Sequence, residues 1–346
     1  TSGDVRQLIT LANQLPLYNQ LGFFVKPDAL LQELGGVQPT YNWLIDALYD
    51  LSDKPFSIAL YNHDILPQLL HDRPDLAQRA SLNIQPILAS LAWDSDLGES
   101  FYHAVMAGMT IDCSATTLAA ATAPATLAGS LTLSLAMNLA SLSIAQSLRA
   151  GAAIAIGFNL FTTDLKQGTL TAGSAESALL QEKAVELAQL CRLPCSITSG
   201  QTSAKVPDQQ AGIEKSLGLL ALVRRGVGLG QGFMVGQAGG LLSDTQVISA
   251  ASLVLDHDLI AMVKRMSLNT PAVTLADTHL DVAERVLNRG GHFLAEPETR
   301  RIMKSQYYYP DSHDRLSLLS WQEAGGWTAE TLAYQVIKKL VANQQK

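Results

Sequence analysis

The chain has 346 residues, of which 47% are hydrophobic and 16% are charged. This balance predicts a compact globular fold and argues against intrinsic disorder. The 24 basic and 31 acidic residues give a net charge of -7, which argues against a nucleic-acid-binding or anionic-membrane-binding surface because both need a basic patch.

Strand-like and helix-like stretches alternate along the first 270 residues. Apolar strand-like runs are predicted at 21–25, 54–61, 82–90, 109–114, 152–157, 194–198 and 227–235. Amphipathic helices precede or separate them, including one opened by Thr122 and Pro124 and one opened by Ser174,. This alternation, with nearly continuous apolar strands, is typical of a parallel sheet covered by helices. It predicts an α/β fold of the TIM (β/α)8 type, although a closed barrel needs eight strands and one N-terminal element is missing from the pattern.

The inward faces of the predicted helices follow from apolar spacing. The expected buried stripes are Leu180, Ala184, Leu187 and Leu190; Ile213, Leu217 and Leu220; and Leu255, Leu259, Met262, Val263 and Met266,.

One uncharged segment runs from Cys113 to the residue before Arg149. Its length raises the question of a membrane span. Because it is rich in Ala, Ser and Thr and contains Asn138 and Gln146, we predict instead a buried helix of a soluble protein,.

The three cysteines, Cys113, Cys191 and Cys195, are an odd number and show no CxxC spacing. They favour a reducing, cytoplasmic location over a disulfide framework, and we expect no metal site.

Residues 271–346 differ in character from the first 270, because aromatic and charged residues concentrate there. A final helix is predicted to start at Thr328 and to bury Leu332, Val336 and Leu340,. The sequence therefore predicts two parts: a (β/α) barrel over 1–270 and a helical extension over 271–346 that packs on the barrel.

A dense polar loop follows the sixth predicted strand, within residues 196–215. Loops after the carboxyl ends of barrel strands carry active sites, so Lys205, Asp208 and Gln210 are the first catalytic candidates. An alternative is that Asp208 caps the next helix and Lys205 is solvated. Lys205 is also a candidate Schiff-base lysine, although a loop position leaves its amine solvated and protonated.

The glycine run 226–232 does not have the spacing of a dinucleotide-binding motif, since its glycines alternate along a predicted strand,. Residues 236–240, just after that strand, are better placed for close approach of the backbone to a ligand.

Several runs resemble the trimethylamine methyltransferase family in order and spacing. They are S-G-Q-T-S-A-K-V-P-D-Q-Q-A-G at 199–212, A-T-A-P-A-T-L-A-G at 121–129, G-S-A-E-S-A-L-L at 173–180, G-G-H-F-L-A-E-P-E-T at 290–299, Y-Y-P-D-S-H-D-R at 308–315 and W-Q-E-A-G-G at 321–326. The resemblance covers about 100–346 and is looser before that; family members usually carry a further N-terminal segment.

The resemblance implies a TIM barrel that moves a methyl group from a methylamine or quaternary amine to the cobalt(I) of a corrinoid. That corrinoid is carried by a separate partner protein, so this chain is expected to bind no cofactor tightly. With standard residues only, the chain looks like the branch without pyrrolysine, whose known substrates include glycine betaine. A homo-oligomer is expected on the same ground.

A quaternary ammonium ion is held best by aromatic faces and a carboxylate. Side chains at or near predicted strand ends could supply the faces: Tyr61, Trp93, Phe158 and Phe233. Asp208 could supply the charge, and Lys205 or His292 could hold a betaine carboxylate. Further substrate-binding candidates are Gln201, Gln237 and Phe293. Two other functions stay open: a Schiff-base lyase that uses Lys205, and a barrel that binds a small molecule without catalysis.

Overall fold

The computed structural model describes residues 1–23, 28–60, 65–227, 239–267 and 278–343. Within them a mixed α/β fold forms around one curled sheet. Its strands are β1 Leu21–Phe23, β2 Phe56–Ala59, β3 Ala80–Asn83, β4 Thr110–Ala119, β5 Ile154–Asp164, β6 Thr169–Thr171 and β7 Cys195–Ile197. All neighbours from β1 to β5 pair in parallel, β7 joins β5 in parallel, and β6 returns antiparallel along the end of β5. A separate antiparallel hairpin consists of β8 Leu241–Leu242 and β9 Val247–Ile248.

Fourteen α-helices are described in these ranges. They are α1 Ser2–Gln14, α2 Asp28–Leu34, α3 Val37–Leu51, α4 Ile65–Asp72, α5 Leu76–Arg79, α6 Ser95–Ala107, α7 Leu127–Leu148, α8 Ala175–Cys191, α9 Gln209–Val223, α10 Ala250–Ser267, α11 Leu280–Arg289, α12 Pro297–Gln306, α13 Leu318–Glu323 and α14 Ala329–Asn343.

The helical layer continues from the last helices of the sheet region back to the first. Helix α10 packs on α9 and also on α1, and the Tyr18 hydroxyl donates to the Leu253 carbonyl at 2.7 Å. Among the described strands, in contrast, β1 and β7 do not pair with each other. The arrangement is a curled half-barrel that is compatible with a TIM-like barrel.

Six of the seven predicted strands are present at the expected places, and the seventh, 227–235, lies outside the described residues except for Val227. The ends of three of these six strands differ clearly from the predicted ends. Strand β3 stops at Asn83 because the chain then forms a loop closed by a bridge between Ile87 and Trp93. Strand β4 runs on to Ala119 because it pairs with β5 beyond its other neighbour, β3, and β5 runs on to Asp164 because its end also pairs with β6.

The inward face of the sheet is polar. In-register pairing places one set of side chains on the same face of β2 to β7,. Its polar members are Ser57, Ser81, Asn83, Asp112, Ser114, Thr116, Asn159, Ser196 and Thr198, and Ala59, Ala155 and Phe161 lie on the same face. Barrel interiors are usually filled by Val, Ile and Leu, so this face is built for polar contacts.

Helix α7 departs from its prediction in two ways. It begins at Leu127, where Thr126 caps it by accepting from the Gly129 amide at 3.2 Å, rather than at Thr122 and Pro124. It is long and apolar enough to cross a membrane by length and composition, yet only 28% of its most apolar window is buried. The prediction of a buried helix is therefore wrong for most of that window. The buried side contacts β4 and β5 through small and polar residues: Ser130, Ser134, Asn138 and Ser141.

The predicted inward stripe of α9 is wrong for two of its three residues, while the third, Leu220, packs against the core. Ile213 and Leu217 are exposed, while Lys215 and Leu219 are buried. Helix α9 is rotated so that Lys215 faces α10, because the Lys215 ammonium pairs with the Asp256 carboxylate of α10 at 2.6 Å. In α8, Leu180 and Ala184 are buried as predicted, but Leu190 is exposed. In α10, Val263 is buried, while Met266 is exposed.

Helix α14 packs on α10 and on α1, with Val336, Ile337 and Leu340 against the core. Val336 and Leu340 of the predicted inward stripe therefore lie against the core. The division of the chain at residue 270 stays a prediction.

Candidate functional site

A cavity of about 360 Å³ lies at the carboxyl ends of the parallel strands. This edge of a βα barrel is where active sites are built, because the loops after the strands converge there. The lining combines apolar residues with hydroxyl and amide groups: Ala59, Leu60, Asn83, Ile84, Gln85, Leu97, Ser114, Thr116, Asn159, Phe161, Leu170, Thr198, Gln201, Leu241 and Thr245. The lining includes no Asp, Glu, Lys, Arg or His residue among those described.

Three strands contribute a row of hydrogen-bonded side chains to the wall. The Thr198 hydroxyl donates to the Asn159 side-chain oxygen, and the Asn159 amide donates to the Thr116 hydroxyl at 3.3 Å. These residues lie on β5 and β4 and directly after β7, so the polar wall is fixed by the sheet itself rather than by distant loops.

Two glutamine side chains in the wall each keep one unused oxygen. Gln85 donates through Nε2 to the Ile87 carbonyl at 2.6 Å, while its Oε1 is buried without a hydrogen-bond partner among the described residues. Gln201 is 5% exposed, and its Oε1 is likewise buried without a partner in the described part of the chain. A buried polar atom without a partner is costly, so these two oxygens are candidates for ligand contacts.

Asp112 lies behind the cavity wall and is 4% exposed. Its Oδ2 accepts from the Asn83 amide at 2.9 Å and from the Ser114 hydroxyl at 3.3 Å, and its Oδ1 accepts from the Ser196 hydroxyl. Burial raises the pKa of Asp112 to about 6, and the three hydrogen bonds oppose the rise,. The carboxyl group thereby joins β3, β4 and β7 beneath the cavity.

The cover of the cavity is held by Asp244 at the turn of the β8–β9 hairpin. Asp244 accepts from the Ser203 hydroxyl at 2.5 Å and from the Ala172 amide at 3.0 Å. Glu214 also holds the polar loop that follows β7, because its carboxylate accepts from the Thr202 hydroxyl at 2.6 Å and from the Ser203 amide at 2.8 Å. The polar loop is therefore ordered, and its acidic partners support it rather than face the cavity.

The three predicted catalytic residues do not line this cavity. The Lys205 side chain is 69% exposed and donates to the Ser203 carbonyl at 2.7 Å. Asp208 caps α9 by accepting from the Ala211 amide at 3.1 Å, and Gln210 is exposed and donates to Glu214 at 2.8 Å. The alternative interpretation of Asp208 as a helix cap and of Lys205 as solvated matches this placement.

Of the predicted substrate-binding residues, Gln201 lines the cavity. Phe158 is 1% exposed and points away from it, on the face of β5 opposite Asn159,. Trp93 is 46% exposed and lies edge-on to Phe101, with a ring-centroid distance of 6.3 Å.

Of the remaining predicted substrate-binding residues, the structure describes His292 and Phe293, and neither lines this cavity. Both are exposed: Phe293 is the first residue of the short 3-10 helix Phe293–Ala295, and His292 directly precedes it. Tyr61, Phe233 and Gln237 lie outside the described residues.

The sequence reasoning missed the residues on the inward face of the strands. The signal was present in T-I-D-C-S-A-T at 110–116, where Asp112, Ser114 and Thr116 alternate with Ile111, Cys113 and Ala115. An alternation of this kind predicts a strand with one polar face. Interpreting the run only as apolar and β-prone concealed that face.

A second, larger groove of about 910 Å³ lies in the helical layer. It runs between α9, α10 and the start of α14, and the Lys215–Asp256 pair lies among its lining residues. Because it lies away from the strand ends, we assign the candidate site to the smaller cavity.

Among the residues that the structure describes, no group of three or more His, Cys, Asp and Glu side chains could hold a metal ion. The thiols of Cys113, Cys191 and Cys195 are all free.

Comparison with known proteins places this chain in a family. The family model of the trimethylamine methyltransferases (MTTB) matches residues 80–346. The chain belongs to the trimethylamine methyltransferase family. The match begins at β3, and it includes the strands that supply Asn83, Asp112, Asn159 and Ser196.

Individual family members are similar at the level of 30% identity. The chain is 29% identical over 238 residues to a glycine betaine methyltransferase from Desulfitobacterium hafniense (strain Y51), which covers 68% of this chain and 47% of that protein. It is 30% identical over 241 residues to the trimethylamine methyltransferase MttB of Methanosarcina barkeri, covering 69% of this chain and 46% of that protein. The chain spans about half the length of these relatives.

The runs that resemble the trimethylamine methyltransferase family have defined structural roles. The run 199–212 forms the loop beside the cavity. In 308–315, the Tyr308 hydroxyl and the Ser312 hydroxyl and amide all donate to Asp258 of α10, at 2.5–2.9 Å. In 290–299, Glu296 is buried and accepts from Arg285 of α11 at 3.0 Å. The last two runs therefore fix the C-terminal segments rather than the cavity.

Proposed function

We propose that the chain is a methyltransferase that takes a methyl group from a quaternary amine of the glycine betaine type and passes it to the cobalt(I) of a corrinoid. The corrinoid is carried by a cognate partner protein, and this chain binds no cofactor tightly. The observation that carries the proposal is the cavity at the strand ends, with an uncharged polar wall and two unused amide oxygens. We further infer a cytoplasmic homo-oligomer, on the resemblance alone.

The cavity suits a small onium ion. Its volume of about 360 Å³ is at the lower end of the range for small-molecule sites. The methyl groups of a quaternary ammonium carry the positive charge, so amide and hydroxyl oxygens and an aromatic face stabilise them. Gln85 Oε1 and Gln201 Oε1 supply oxygens, and the described lining includes one aromatic ring, that of Phe161.

Methyl transfer from such a substrate needs little acid–base chemistry. The carbon–nitrogen bond breaks with its electron pair passing to nitrogen, so a neutral tertiary amine leaves without a proton donor. The corrinoid supplies the nucleophile that forms the new bond to the methyl carbon. The residues of this chain orient the ammonium group and exclude water from it. A wall without ionisable side chains is consistent with that role.

The direct test is demethylation of a panel of quaternary amines in the presence of free cob(I)alamin. We expect turnover with at least one substrate of the glycine betaine type. Binding of the panel without turnover of any member would favour the non-catalytic small-molecule-binding barrel. No binding of any member would contradict the proposal.

A matched pair of variants tests the location of the site. Gln201→Leu removes the unused amide of the cavity, and Gln210→Leu removes an exposed amide a short distance along the chain. We expect Gln201→Leu to raise the Kd of the substrate about fivefold, since one buried hydrogen bond contributes on the order of 1 kcal/mol, and Gln210→Leu to change it less than about twofold. The reverse order would favour the sequence-based assignment of the site to residues 205–210.

The Schiff-base alternative requires a desolvated lysine amine. Lys205 is 69% exposed and its amine donates to a backbone carbonyl, which is a solvated environment and not a desolvated one. Borohydride trapping with carbonyl substrates tests this function, and a covalent adduct on Lys205 would favour it.

A further inference from the structure

The carboxyl group of Asp112 has no cationic partner in the described part of the chain. Its contacts there are neutral: the Asn83 amide from β3, the Ser114 hydroxyl from β4 and the Ser196 hydroxyl from β7. Gly157 of β5 closes the remaining side, because a Cβ atom at that position would lie 2.3 Å from Asp112 Oδ1. The strands thus enclose one acidic group without a compensating positive charge.

Asp112 is separated from the cavity by only one layer of side chains. Asn83 and Ser114, which donate to its Oδ2, both line the cavity. A cation in the cavity would therefore lie one hydrogen-bonded side chain away from the carboxylate. In a water-poor interior such a charge pair interacts strongly.

We propose that Asp112 is the buried counter-charge of this cavity, and that it makes the site selective for permanent cations by losing its proton when a quaternary ammonium ion binds. The proposal rests on the proposed function, since it concerns how the same cavity holds its substrate. It assigns to Asp112 a positioning role, exerted through Asn83 and Ser114.

The protonation behaviour of Asp112 supports this coupling. Burial raises its pKa to about 6, so the carboxyl group of the empty site carries a proton for part of the time near neutral pH. An incoming cation favours the charged form and lowers that pKa. By linkage, the cation then binds more tightly to the ionised protein than to the protonated one.

The other titratable groups around Asp112 do not compete in this pH range. Cys113 and Cys195 are the titratable neighbours on β4 and β7, and burial is the main cause that raises the pKa of both thiols, that of Cys195 to about 11. Both stay neutral through the pH range of the test below. The groups that face Asp112 from β3 and β5 are Asn83 and Gly157, which do not titrate.

The test compares choline with its neutral carbon analogue 3,3-dimethylbutan-1-ol by calorimetry on the full chain. For choline we expect Kd to rise roughly tenfold between about pH 7.5 and pH 5, as the carboxylate becomes protonated. Titrations in buffers of different ionisation enthalpy should show release of roughly half a proton near pH 6. For the neutral alcohol we expect a Kd that does not depend on pH and no proton release.

Variants test whether the pH dependence of choline binding originates at Asp112. Asp112→Asn should weaken choline binding at neutral pH by about tenfold or more, abolish its pH dependence and leave the Kd of the alcohol within about twofold of its original value. Asp72→Asn removes an exposed carboxylate on α4 and should change the Kd of neither ligand. If Asp112→Asn does not fold, the proton release of the unaltered protein still decides the question.

The outcomes separate this inference from the proposed function. Choline binding with a pH-independent Kd and no proton release would overturn the role of Asp112 and leave the proposed function standing. Equal pH dependence for choline and the neutral alcohol would also overturn it, because the carboxylate would then not act on the charge. If no quaternary ammonium ion binds at any pH, both are overturned.

Discussion

At the scale of single residues, Gly157 of β5 is held between two polar side chains. From the helical layer, Asn138 of α7 donates to the Gly157 carbonyl at 2.9 Å and accepts from its amide at 3.0 Å. On the other side, a Cβ atom at position 157 would lie 2.3 Å from Asp112 Oδ1 and 2.6 Å from the Cys113 carbonyl oxygen. Only glycine leaves room for both contacts.

We therefore expect Gly157→Ala to lower the free energy of unfolding by about 2–4 kcal/mol, because the new methyl group must displace a buried carboxyl group and backbone. Urea denaturation at neutral pH measures the change. Gly212→Ala is the matched control: it lies in α9, nothing crowds the place of an added Cβ atom within 4 Å, and alanine there should stabilise by about 0.5–1 kcal/mol. Equal effects of the two substitutions would contradict the crowding at Gly157.

The sequence identified one residue of the candidate site and missed others. Gln201 was found because it stands in a conspicuous polar loop. Asn159 was missed because it is one polar residue inside an apolar run, and Asp112 was missed because the alternation at 110–116 was not interpreted as a polar face. Local sequence also does not say that three strands bring such residues together. The pairing of Asp112 with Ser196, 84 positions away, is a property of the strand order and not of any local pattern.

At the scale of elements, α9 and α10 are joined by the buried ion pair of Lys215 and Asp256. The Lys215 ammonium is 2.6 Å from Asp256 and 3.1 Å from the Ser252 hydroxyl, and the Gly240 amide donates to the same carboxylate at 2.7 Å. This pair explains why α9 buries a lysine while Ile213 is exposed. Hydrophobic spacing alone could not predict that rotation of the helix.

Removal of one partner should be costly. We expect Lys215→Met to lower the free energy of unfolding by about 3–5 kcal/mol, since it leaves the Asp256 carboxylate buried without its cation. The double variant Lys215→Met with Asp256→Leu should recover part of the loss, which a double-mutant cycle measures. Lys183→Met, which breaks the exposed pair with Glu186, should cost less than about 1 kcal/mol, and a similar cost at Lys215 would show that its pair does not stabilise the fold.

Asp258, also on α10, anchors the segment that contains Tyr308 and Ser312. Burial alone would raise the pKa of Asp258, but the His257 ring at 3.8 Å and the hydrogen bonds from Ser312 and Tyr308 hold that pKa at about 2. A pKa below the unfolded value means that this anchor stabilises the fold above about pH 4 and is lost as the pH falls towards 2.

We expect Asp258→Asn to lower the free energy of unfolding at neutral pH by on the order of 2 kcal/mol and to make the chain near residues 307–313 more sensitive to limited proteolysis. The difference from the unaltered protein should shrink as the pH falls towards the pKa of Asp258. Asp311→Asn, a change of an exposed carboxylate in the same segment, is the control. A loss that does not depend on pH would show that Asp258 acts through shape and not through its charge.

At the scale of the whole molecule, the order of helices and strands was predictable, because βα alternation is written in the spacing of apolar runs. Closure was not. Tyr18 reaches Leu253 across 235 positions, and such long-range contacts depend on the curvature of the sheet, which no local run specifies. The start of α7 differs from the prediction for a similar reason. Threonine, a residue type that caps helices, stands at both 122 and 126, and the turn that precedes α7 determines that Thr126 is the cap.

Asp258 and Asp112, two of the buried aspartates, give the fold opposite responses to pH. Asp258 stabilises as the pH rises from about 2 to 4. Asp112, whose pKa is raised to about 6, retains its proton in the folded state to a higher pH than in the unfolded chain, so its contribution declines as the pH rises from about 4 to 6. From these two groups the free energy of unfolding should be greatest near about pH 4.

We expect Asp112→Asn to gain stability relative to the unaltered protein by on the order of 3 kcal/mol between about pH 4 and pH 7, because the variant does not bear the cost of ionising a buried group. Urea unfolding at several pH values across that interval measures the difference. Parallel stability curves for the two proteins would contradict the buried titration.

The polar inward face of the sheet also has a consequence for the evolution of substrate choice. Its hydroxyls and amides sit on rigid backbone, and exchanges such as Thr198→Val, Thr116→Val or Ser114→Ala delete a donor while nearly conserving volume. On the proposed function, changes of this kind alter which substrate fits the cavity without any loop being remodelled. A scaffold of this design can acquire a preference for other ligands through single conservative substitutions, each compatible with a folded protein.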